Sequence, residues 1–500
     1  MRNKKIFFIK INILNFPMTV LFGILGFQVY FLKASSILQK KRVSDFLSYI
    51  NIIKIDFNNP EHSVSKKYVK MKKKSYLIAK DAADRIIKSI WSQELKKFFI
   101  EKTFFRIFLT NYLNSRAFEI LLLFEFAGKL QQNRQRLYFW INKNKILEEI
   151  LKNYSNIAIL KPSYLNVFTD AADVGFQLLF SLKNKFKKNK IKKPNFKRKK
   201  TLKSINFNKF KTIFFVSGGI VGGASANYLN FKNFFFSKEK SSPINKQNII
   251  TSEISKSLEY QSEKYFYKLK LKFFYWHNKR SLKIFRNFSP FFIKIIFKPS
   301  LINDLITSIR ICWAIFEIKS NLKILEDFPN LKNAIIENEF QFPTTLAIAL
   351  KHKNINITCI AKSYLYSSQK HQFLFDNYFI LGKQTLLYLN HQFYKKINPI
   401  IIGGHESMVL KNTSKYLKKF SKPYKLTCLV LDYHSDKNWY KSSISPLVNW
   451  NENIEFYKIV LKISKKNPEI LFVLKSKNYD WIKIPFFSDI YKMVKKQKNL

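Results

Sequence analysis

The stretch Tyr424–Pro485, YKLTCLVLDYHSDKNWYKSSISPLVNWNENIEFYKIVLKISKKNPEILFVLKSKNYDWIKIP, decides the fold class. Within it, Leu426–Leu431 is a continuous apolar run that ends in Asp432. A run without polar alternation is typical of a strand that is covered on both faces, as in a parallel sheet. A long polar loop, His434–Asn453, follows this predicted strand.

A helix and a second strand complete the unit. Apolar residues recur at helical spacing over Phe456–Ile463. Asn467-Pro468 ends that helix, because the residue before a proline avoids helical geometry. Ile470–Leu474 then forms a second buried strand that ends in Lys475. A strand, a crossover helix and a parallel strand make a βαβ unit.

Ligands of open α/β sheets bind beyond the carboxyl ends of the strands. Here those ends are Asp432-Tyr433-His434 and Lys475-Ser476-Lys477, which offer a carboxylate and an imidazole beside two ammonium groups. A phosphorylated ligand fits that pairing. The alternative is that Lys475 and Lys477 are solvated surface lysines of a lysine-rich chain, and both interpretations stay open.

Composition excludes some classes of protein. The chain has 500 residues, enough for two or three domains, and its 47% hydrophobic content is too high for a disordered protein despite a net charge of +57. Lysine is spread over the whole chain, so the charge indicates attraction to nucleic acid or an anionic membrane rather than one site. Three cysteines without paired spacing predict neither disulfides nor a zinc site, and a reducing cytosol is the simplest compartment.

Residues 16–32, FPMTVLFGILGFQVYFL, allow two interpretations. They are at the short limit of a membrane span and are interrupted by proline, glycine and glutamine. The preferred parse is a helix over Pro17–Leu25 and a strand over Gln28–Leu32, after a first strand within Lys4–Ile13.

Two long segments separate this beginning from the next strand. Residues 66–161 are predicted to be mainly helical, with Leu137–Ile141 as a short strand candidate. Residues 183–203 are the densest basic run, which is either a solvated connector or a contact for RNA or phospholipid.

A glycine-rich loop follows the predicted strand Thr212–Val216. Gly218 and Gly219 belong to Ser217–Gly223, where four glycines of a glycine-poor chain gather. Glycine lets backbone N–H groups approach a phosphate, although neither the P-loop nor the dinucleotide spacing is present. The sequence leaves two interpretations of this stretch, a loop beside a ligand and a tight turn.

Residues 273–297 mix aromatic and basic residues, FFYWHNKRSLKIFRNFSPFFIKIIF. Close alternation of cations and aromatics favours contact with a membrane surface, and an aromatic core segment is the alternative.

From Asn333 onward strands and helices alternate. Several predicted strands end in polar residues, among them Glu337 and the sequence Gly403-Gly404-His405-Glu406-Ser407. The predicted strands are Ala334–Ile336, Ile355–Ala361, Asp376–Ile380 and Pro399–Ile402, and the predicted helices are Phe342–Lys351 and Leu386–His391.

Residues 210–490 resemble bacterial surface-polysaccharide biosynthesis proteins of the PFTS-motif group, which are GT-B-like glycosyltransferases. The resemblance rests on AIIENEFQFPTTLAIALKHKNINITCIA, FDNYFILGKQTLLYL and TCLVLDYHS with PEILFVLKSKNYDW. A weaker likeness lies in TIFFVSGGI and FFFSKEKSSPINKQNII. After the Ile355–Ala361 strand, Lys362-Ser363-Tyr364 departs from the element that the group has there. Pro485-Phe486-Phe487-Ser488 differs by one residue from the motif that names the group, and it lies too early in the second half to be that motif.

The resemblance implies an α/β fold with two Rossmann-like halves, a helical insertion in the first half and an incomplete second half. The first half would be residues 1–410, with the helical region 66–161 and the basic connector 183–203. Residues 424–500 would be the start of a C-terminal half that is truncated after its second strand.

The function implied is transfer of a sugar from a nucleotide-activated donor, a substrate rather than a cofactor, to a polysaccharide or lipid-linked acceptor. Phosphate contacts would come from Gly218, Gly219, Lys475 and Lys477, and acid–base groups from His405, Glu406, Glu337 and Asp432. No metal motif stands out. The protein would be cytoplasmic, with a possible peripheral position at the inner face of the cell membrane. The alternative is a basic nucleic-acid-binding protein without enzymatic activity, although no nucleic-acid-binding signature is present.

Overall fold

A computed structural model gives the architecture of the chain. It describes residues 4–11, 15–34, 41–55, 67–131, 137–141, 145–151, 157–160, 207–216, 248–254, 272–276, 304–337, 342–360, 373–380, 399–401, 423–432, 450–476 and 485–500, with a few isolated positions between them. The densest basic run, 183–203, lies outside these residues.

A five-stranded parallel sheet forms the first unit. Its strand order is β3-β2-β1-β4-β5, which is the Rossmann order in which the chain starts in the middle and turns back once. Phe7 on β1 stacks between Tyr30 and Phe139 of its two neighbouring strands, so aromatic rings fill the centre of the sheet face. The elements are β1 (Lys5–Ile11), α1 (Phe16–Ile24), β2 (Gln28–Ala34), α2 (Lys41–Tyr49), β3 (Ile52–Lys54), α3 (Tyr68–Ile90), α4 (Gln93–Phe99), α5 (Lys102–Leu130), β4 (Leu137–Trp140), α6 (Lys145–Leu151) and β5 (Ile157–Leu160).

The apolar stretch at residues 16–32 is a helix and a strand, as predicted. Helix α1 ends at Ile24 with Gly26 at a φ of 82°, a conformation that suits glycine, and β2 then pairs with β1 in parallel. Among the helices that the structure describes, none combines the length and the apolar character that crossing a membrane requires.

Helices α3, α4 and α5 form the predicted insertion between β3 and β4. Phe126 of α5 meets Phe7 of the first sheet, while His352 of a later helix contacts the Phe98 carbonyl oxygen of α4 at 2.7 Å. The strand candidate at Leu137–Ile141 is confirmed as β4, whereas the prediction of helix is wrong at Ile157–Leu160, where β5 continues the first sheet. Their short runs, LYFW and IAIL, are rich in aromatic and β-branched residues, which favour a pleated, half-buried surface.

A seven-stranded parallel sheet forms the second unit. Its order, β12-β11-β10-β9-β6-β7-β8, repeats the Rossmann arrangement, with β6 first in the chain and β9 on its other side. The predicted strands at 334–336, 355–361, 376–380 and 399–402 are all present within one or two residues. The elements are β6 (Thr212–Val216), β7 (Ile249–Glu253), β8 (Lys272–Phe274), α7 (Leu305–Leu325), β9 (Asn333–Glu337), α8 (Thr344–His352), β10 (Asn356–Ile360), β11 (Asn377–Ile380) and β12 (Ile400–Ile401).

The described positions within residues 273–297 do not support the predicted contact with a membrane surface. Phe274, Trp276, Phe292 and Ile295 are buried in the core. The Trp276 indole Nε1 donates to Asn321 Oδ1 at 3.0 Å, so even its polar atom is satisfied inside the protein. These aromatic residues are therefore core residues of the second unit.

The third unit is the predicted βαβ motif, but the prediction that its first strand is covered on both faces is wrong, because Leu426, Leu429 and Leu431 are exposed at 65%, 57% and 67%. Strand β13 (Leu426–Asp432) pairs in parallel with β14 (Ile470–Ser476), connected through α9 (Trp450–Lys466), and α10 (Ser488–Lys496) follows. Tyr457 and Phe487 are fully buried in its small core. The α/β class with parallel sheets and two Rossmann-like units is thus confirmed. The domain division at residue 410 stays a prediction, and both Rossmann-ordered sheets lie before it.

Candidate functional site

The carboxyl edge of the seven-stranded sheet contains the position where its strand order reverses. Strand β6 lies between β7 and β9, and the chain leaves β6 in one direction and returns on the other side through β9. In open α/β sheets this switch point is where ligands bind, because the two loops that leave neighbouring strands part there and open a crevice.

The strand register brings two glutamates to this edge, one on each side of β6. Val216, the last residue of β6, pairs with Glu253 of β7. On the other side Phe215 pairs with Ile336, so Glu337 lies level with Val216 at the end of β9. The glycine-rich sequence Ser217–Gly223 begins at the next residue of the chain after Val216.

Glu253 is fully buried and hydrogen-bonded. The Ser262 hydroxyl donates to its Oε2 at 2.7 Å, and the neighbouring Ile254 N–H donates to the Val216 carbonyl at 2.9 Å. The bond between Ile254 and Val216 holds the ends of β6 and β7 together beside the switch point. Sequence reasoning missed Glu253, although the short β-branched run IITSE with an acid at its end was an available signal.

Glu337 is the predicted acid–base residue that lies at the switch point. It is the last residue of β9 and pairs with Ile360 of β10. Its catalytic role stays a prediction. The predicted site residues Gly218, Gly219, His405 and Glu406 lie outside the described part of the chain.

The third unit carries the two remaining predicted strand ends. Asp432 pairs with Ser476, and Leu431 pairs with Lys475, so the acidic end of β13 and the basic end of β14 are adjacent, as the sequence predicts. Lys477 lies outside the described residues. Asp432 and Lys475 therefore belong to a different sheet from Glu337.

A second polar cluster lies at the carboxyl end of β2 in the first unit. The Lys33 ammonium donates to Glu119 Oε1 of α5, and the Lys72 Nζ lies 3.8 Å from the centre of the Phe118 ring. Burial lowers the pKa of Lys72 to about 8, and the nearby Glu119 carboxylate offsets part of that shift. An amine with this pKa exchanges a proton close to neutral pH. Nothing distinguishes Lys72 in a sequence that contains 89 lysines and arginines.

An ion pair connects the helical insertion to the second unit. Arg116 Nη1 of α5 donates to Asp304 Oδ1 at 3.1 Å and to Thr307 Oγ1 at 2.7 Å. Asp304 also caps α7, because its Oδ1 accepts from the Thr307 N–H at 3.2 Å. The same carboxylate thus caps the start of α7 and anchors α5, which fixes the insertion beside the second sheet.

Among the described residues, no three histidine, cysteine, aspartate or glutamate side chains gather closely enough to hold a metal ion.

Comparison with known proteins gives structural likeness only. No protein-family model and no curated protein sequence matches the chain. A crystal structure of UDP-GlcNAc 2-epimerase from Neisseria meningitidis bound to UDP-GlcNAc is similar at 16% identity and a TM-score of 0.32, covering 58% of this chain and 70% of that one. The S. aureus MnaA–UDP structure is similar at 11% identity and a TM-score of 0.32, covering 58% and 66%. At such low similarity, function has to be argued from the chain's own residues.

Proposed function

We propose that the chain is a glycosyltransferase-like protein of surface polysaccharide biosynthesis that transfers a sugar from a nucleotide-activated donor. The observation that carries the proposal is the switch point of the seven-stranded sheet. There Glu253 and Glu337 flank the end of β6, and the glycine-rich sequence that contains Gly218 and Gly219 begins at the next residue. The resemblance of residues 210–490 to the PFTS-motif group supports the same function.

The donor diphosphate needs hydrogen-bond donors and positive charge as it leaves. Backbone N–H groups of Gly218 and Gly219 supply donors, and Lys475 and Lys477 supply charge if the third unit closes over the same ligand. In the reaction the bond between the sugar C1 and the diphosphate oxygen breaks, and the acceptor oxygen forms a new bond to C1.

The acceptor hydroxyl loses its proton in the same step. Glu337 is our first choice as the base that takes this proton, because it ends β9 at the switch point, where ligands of open α/β sheets bind. His405, Glu406 and Asp432 are the further candidates. The acceptor is a polysaccharide or a lipid-linked sugar, and the reaction takes place in the cytoplasm at the inner face of the cell membrane.

A turnover assay tests this function. The purified chain is incubated with a panel of UDP-, GDP-, dTDP- and CMP-linked sugars, and nucleotide release is measured with and without a lipid-linked acceptor. We expect release from at least one donor, and loss of at least about tenfold in rate for Glu337→Gln, as is typical for loss of a general base.

The matched control is Glu326→Gln. Glu326 is exposed at the end of α7 and precedes β9, so this variant makes the same charge change on the amino side of the same sheet. The proposal is wrong if no donor is turned over, or if both variants lose the same fraction of activity.

A further inference from the structure

The outer surface of the first unit carries an apolar patch formed by α1 and the end of α2. Helix α1 and the residue that follows it expose four large apolar side chains, and Ile24 is the most open at 69%. Two aromatic residues of α2 add to it, with Tyr49 exposed at 87%. The patch comprises Met18, Leu21, Ile24, Leu25, Phe46 and Tyr49.

This exposure follows from the way α1 packs. Its buried residues are the small Thr19 and Gly23, and a Cβ on Gly23 would lie only 2.5 Å from the Ile50 carbonyl oxygen. Val20 and Phe22 also pack against the core, which leaves Met18, Leu21 and Ile24 on the outer side of the helix. Ile50 directly follows α2, so the end of α2 that carries Phe46 and Tyr49 approaches this helix.

Positive charge accompanies the patch. Residues 1–54 contain nine lysines and arginines, and Asp45 is their single acidic residue. Helix α1 itself carries no charged residue, whereas α2 begins with Lys41 and Arg42, and Lys54 is exposed at the end of β3. Exposed aliphatic and aromatic side chains within a cationic surrounding are what an anionic lipid surface attracts.

Length and charge favour a lipid surface over other occupants. A helix of nine residues is about 14 Å long, and a hydrocarbon core is about 30 Å thick, so α1 lies along a membrane rather than across it. A second copy of the chain is opposed by repulsion, since each copy has a net charge of +57.

We propose that the apolar patch of α1 and α2 docks on an anionic phospholipid surface, with Leu21, Ile24 and Leu25 inserted among the acyl chains and the lysines at the headgroups. The inference is independent of the glycosyl-transfer proposal, because it uses another face of the protein and needs no turnover.

Vesicle sedimentation tests the docking. The full chain is mixed with vesicles of phosphatidylcholine containing about one third phosphatidylglycerol, and with pure phosphatidylcholine vesicles. We expect binding to the anionic vesicles that weakens with added salt, and weaker binding to the neutral ones. Ile24→Asn with Leu25→Asn should weaken partitioning by about tenfold or more, since two inserted apolar side chains are lost. Both positions are exposed, so the variant should keep the circular dichroism spectrum of the wild type.

The matched control is Leu426→Asn with Ile459→Asn in the third unit. These residues are exposed at 65% and 55%, so the control removes similar apolar surface without changing charge. Equal binding of wild type and Ile24→Asn/Leu25→Asn would overturn the proposal, because charge alone would then explain attraction. If the chain does not bind vesicles but forms a dimer that Ile24→Asn/Leu25→Asn dissociates, the docking proposal is overturned and the patch is a surface for self-association.

A fluorescent label gives a second, local measurement. In a Cys428→Ser background the remaining Cys312 and Cys359 are buried, and burial raises the pKa of Cys312 to about 12, so neither competes for an NBD reagent. NBD attached to Ile24→Cys should brighten and shift to the blue on anionic vesicles, whereas NBD at Ile459→Cys should not. The same response at both positions, or at neither, contradicts the assigned surface.

Discussion

Replacement of Gly23 by alanine tests how closely α1 approaches the first sheet. A Cβ at this position would lie 2.5 Å from the Ile50 carbonyl oxygen and 3.3 Å from the Ile52 side chain. The added methyl must retreat by about 0.9 Å to reach the 3.4 Å at which ordinary contact begins. Its partner is a backbone atom in the turn between α2 and β3, which cannot rotate away as a side chain does.

The magnitude follows from two opposing terms. Overpacking of this kind costs about 1–3 kcal/mol, and alanine in place of a helical glycine returns about 0.5–1 kcal/mol. We therefore expect Gly23→Ala to destabilise the first unit by about 1–2 kcal/mol. Gly128→Ala in α5 is the matched control, because nothing lies within 4 Å of its Cβ and only the favourable term remains.

Hydrogen–deuterium exchange measures the local effect in a protein with several units. Peptides that contain β2 and β3 should exchange roughly 5–30 times faster in Gly23→Ala than in wild type, and no faster in Gly128→Ala. Unchanged or slower exchange in Gly23→Ala would show that α1 does not pack against Ile50 as described.

Three further predictions concern other parts of the molecule. Lys72→Met should raise the free energy of unfolding at pH 7 by about 1–3 kcal/mol in urea titrations. Because the pKa of Lys72 is lowered in the folded protein, the unfolded chain binds the proton more tightly between about pH 8 and 10.5, so wild type gains stability over that range and the advantage of the variant should disappear. Lys73→Met, at an exposed position on the same helix, should change little at pH 7 or within that range. Asn321→Ala leaves the buried Trp276 N–H without its acceptor, so thermal unfolding should show a loss of about 1–3 kcal/mol, and an unchanged transition would contradict the hydrogen bond. Binding to a random RNA should be weak and should fall steeply with added salt; tight binding that persists at moderate salt would instead favour the nucleic-acid-binding alternative.

The local elements of this fold could be predicted from the sequence. Continuous apolar runs such as Leu426–Leu431 identify parallel strands, although the structure leaves that run exposed rather than buried, and the glycine and proline positions at 16–32 separate α1 from β2. The position of Glu337 at the end of a strand was predicted for the same reason. These features depend on residues that are close in the chain.

The arrangement of strands could not be predicted in this way. Nothing local in TIFFV and IITSE indicates that β6 and β7 are neighbours, and their pairing is what brings Glu253 to the switch point. Trp276 and its neighbours look suited to a membrane surface because a sequence does not show that Asn321 will satisfy the indole. Likewise, Lys72 differs from other lysines only through burial against α5, which is a property of the packed helices.

The most direct test of the central claim is ligand protection at the carboxyl edge of the seven-stranded sheet. Hydrogen–deuterium exchange is measured with and without the nucleotide sugar from the panel that most raises the melting temperature. We predict slower exchange in peptides that cover residues 215–224 and 336–343, and no change at residues 326–332, which precede β9 on the opposite edge. Protection confined to the opposite edge, or absent from both loops at saturating ligand, would contradict a binding site at this switch point.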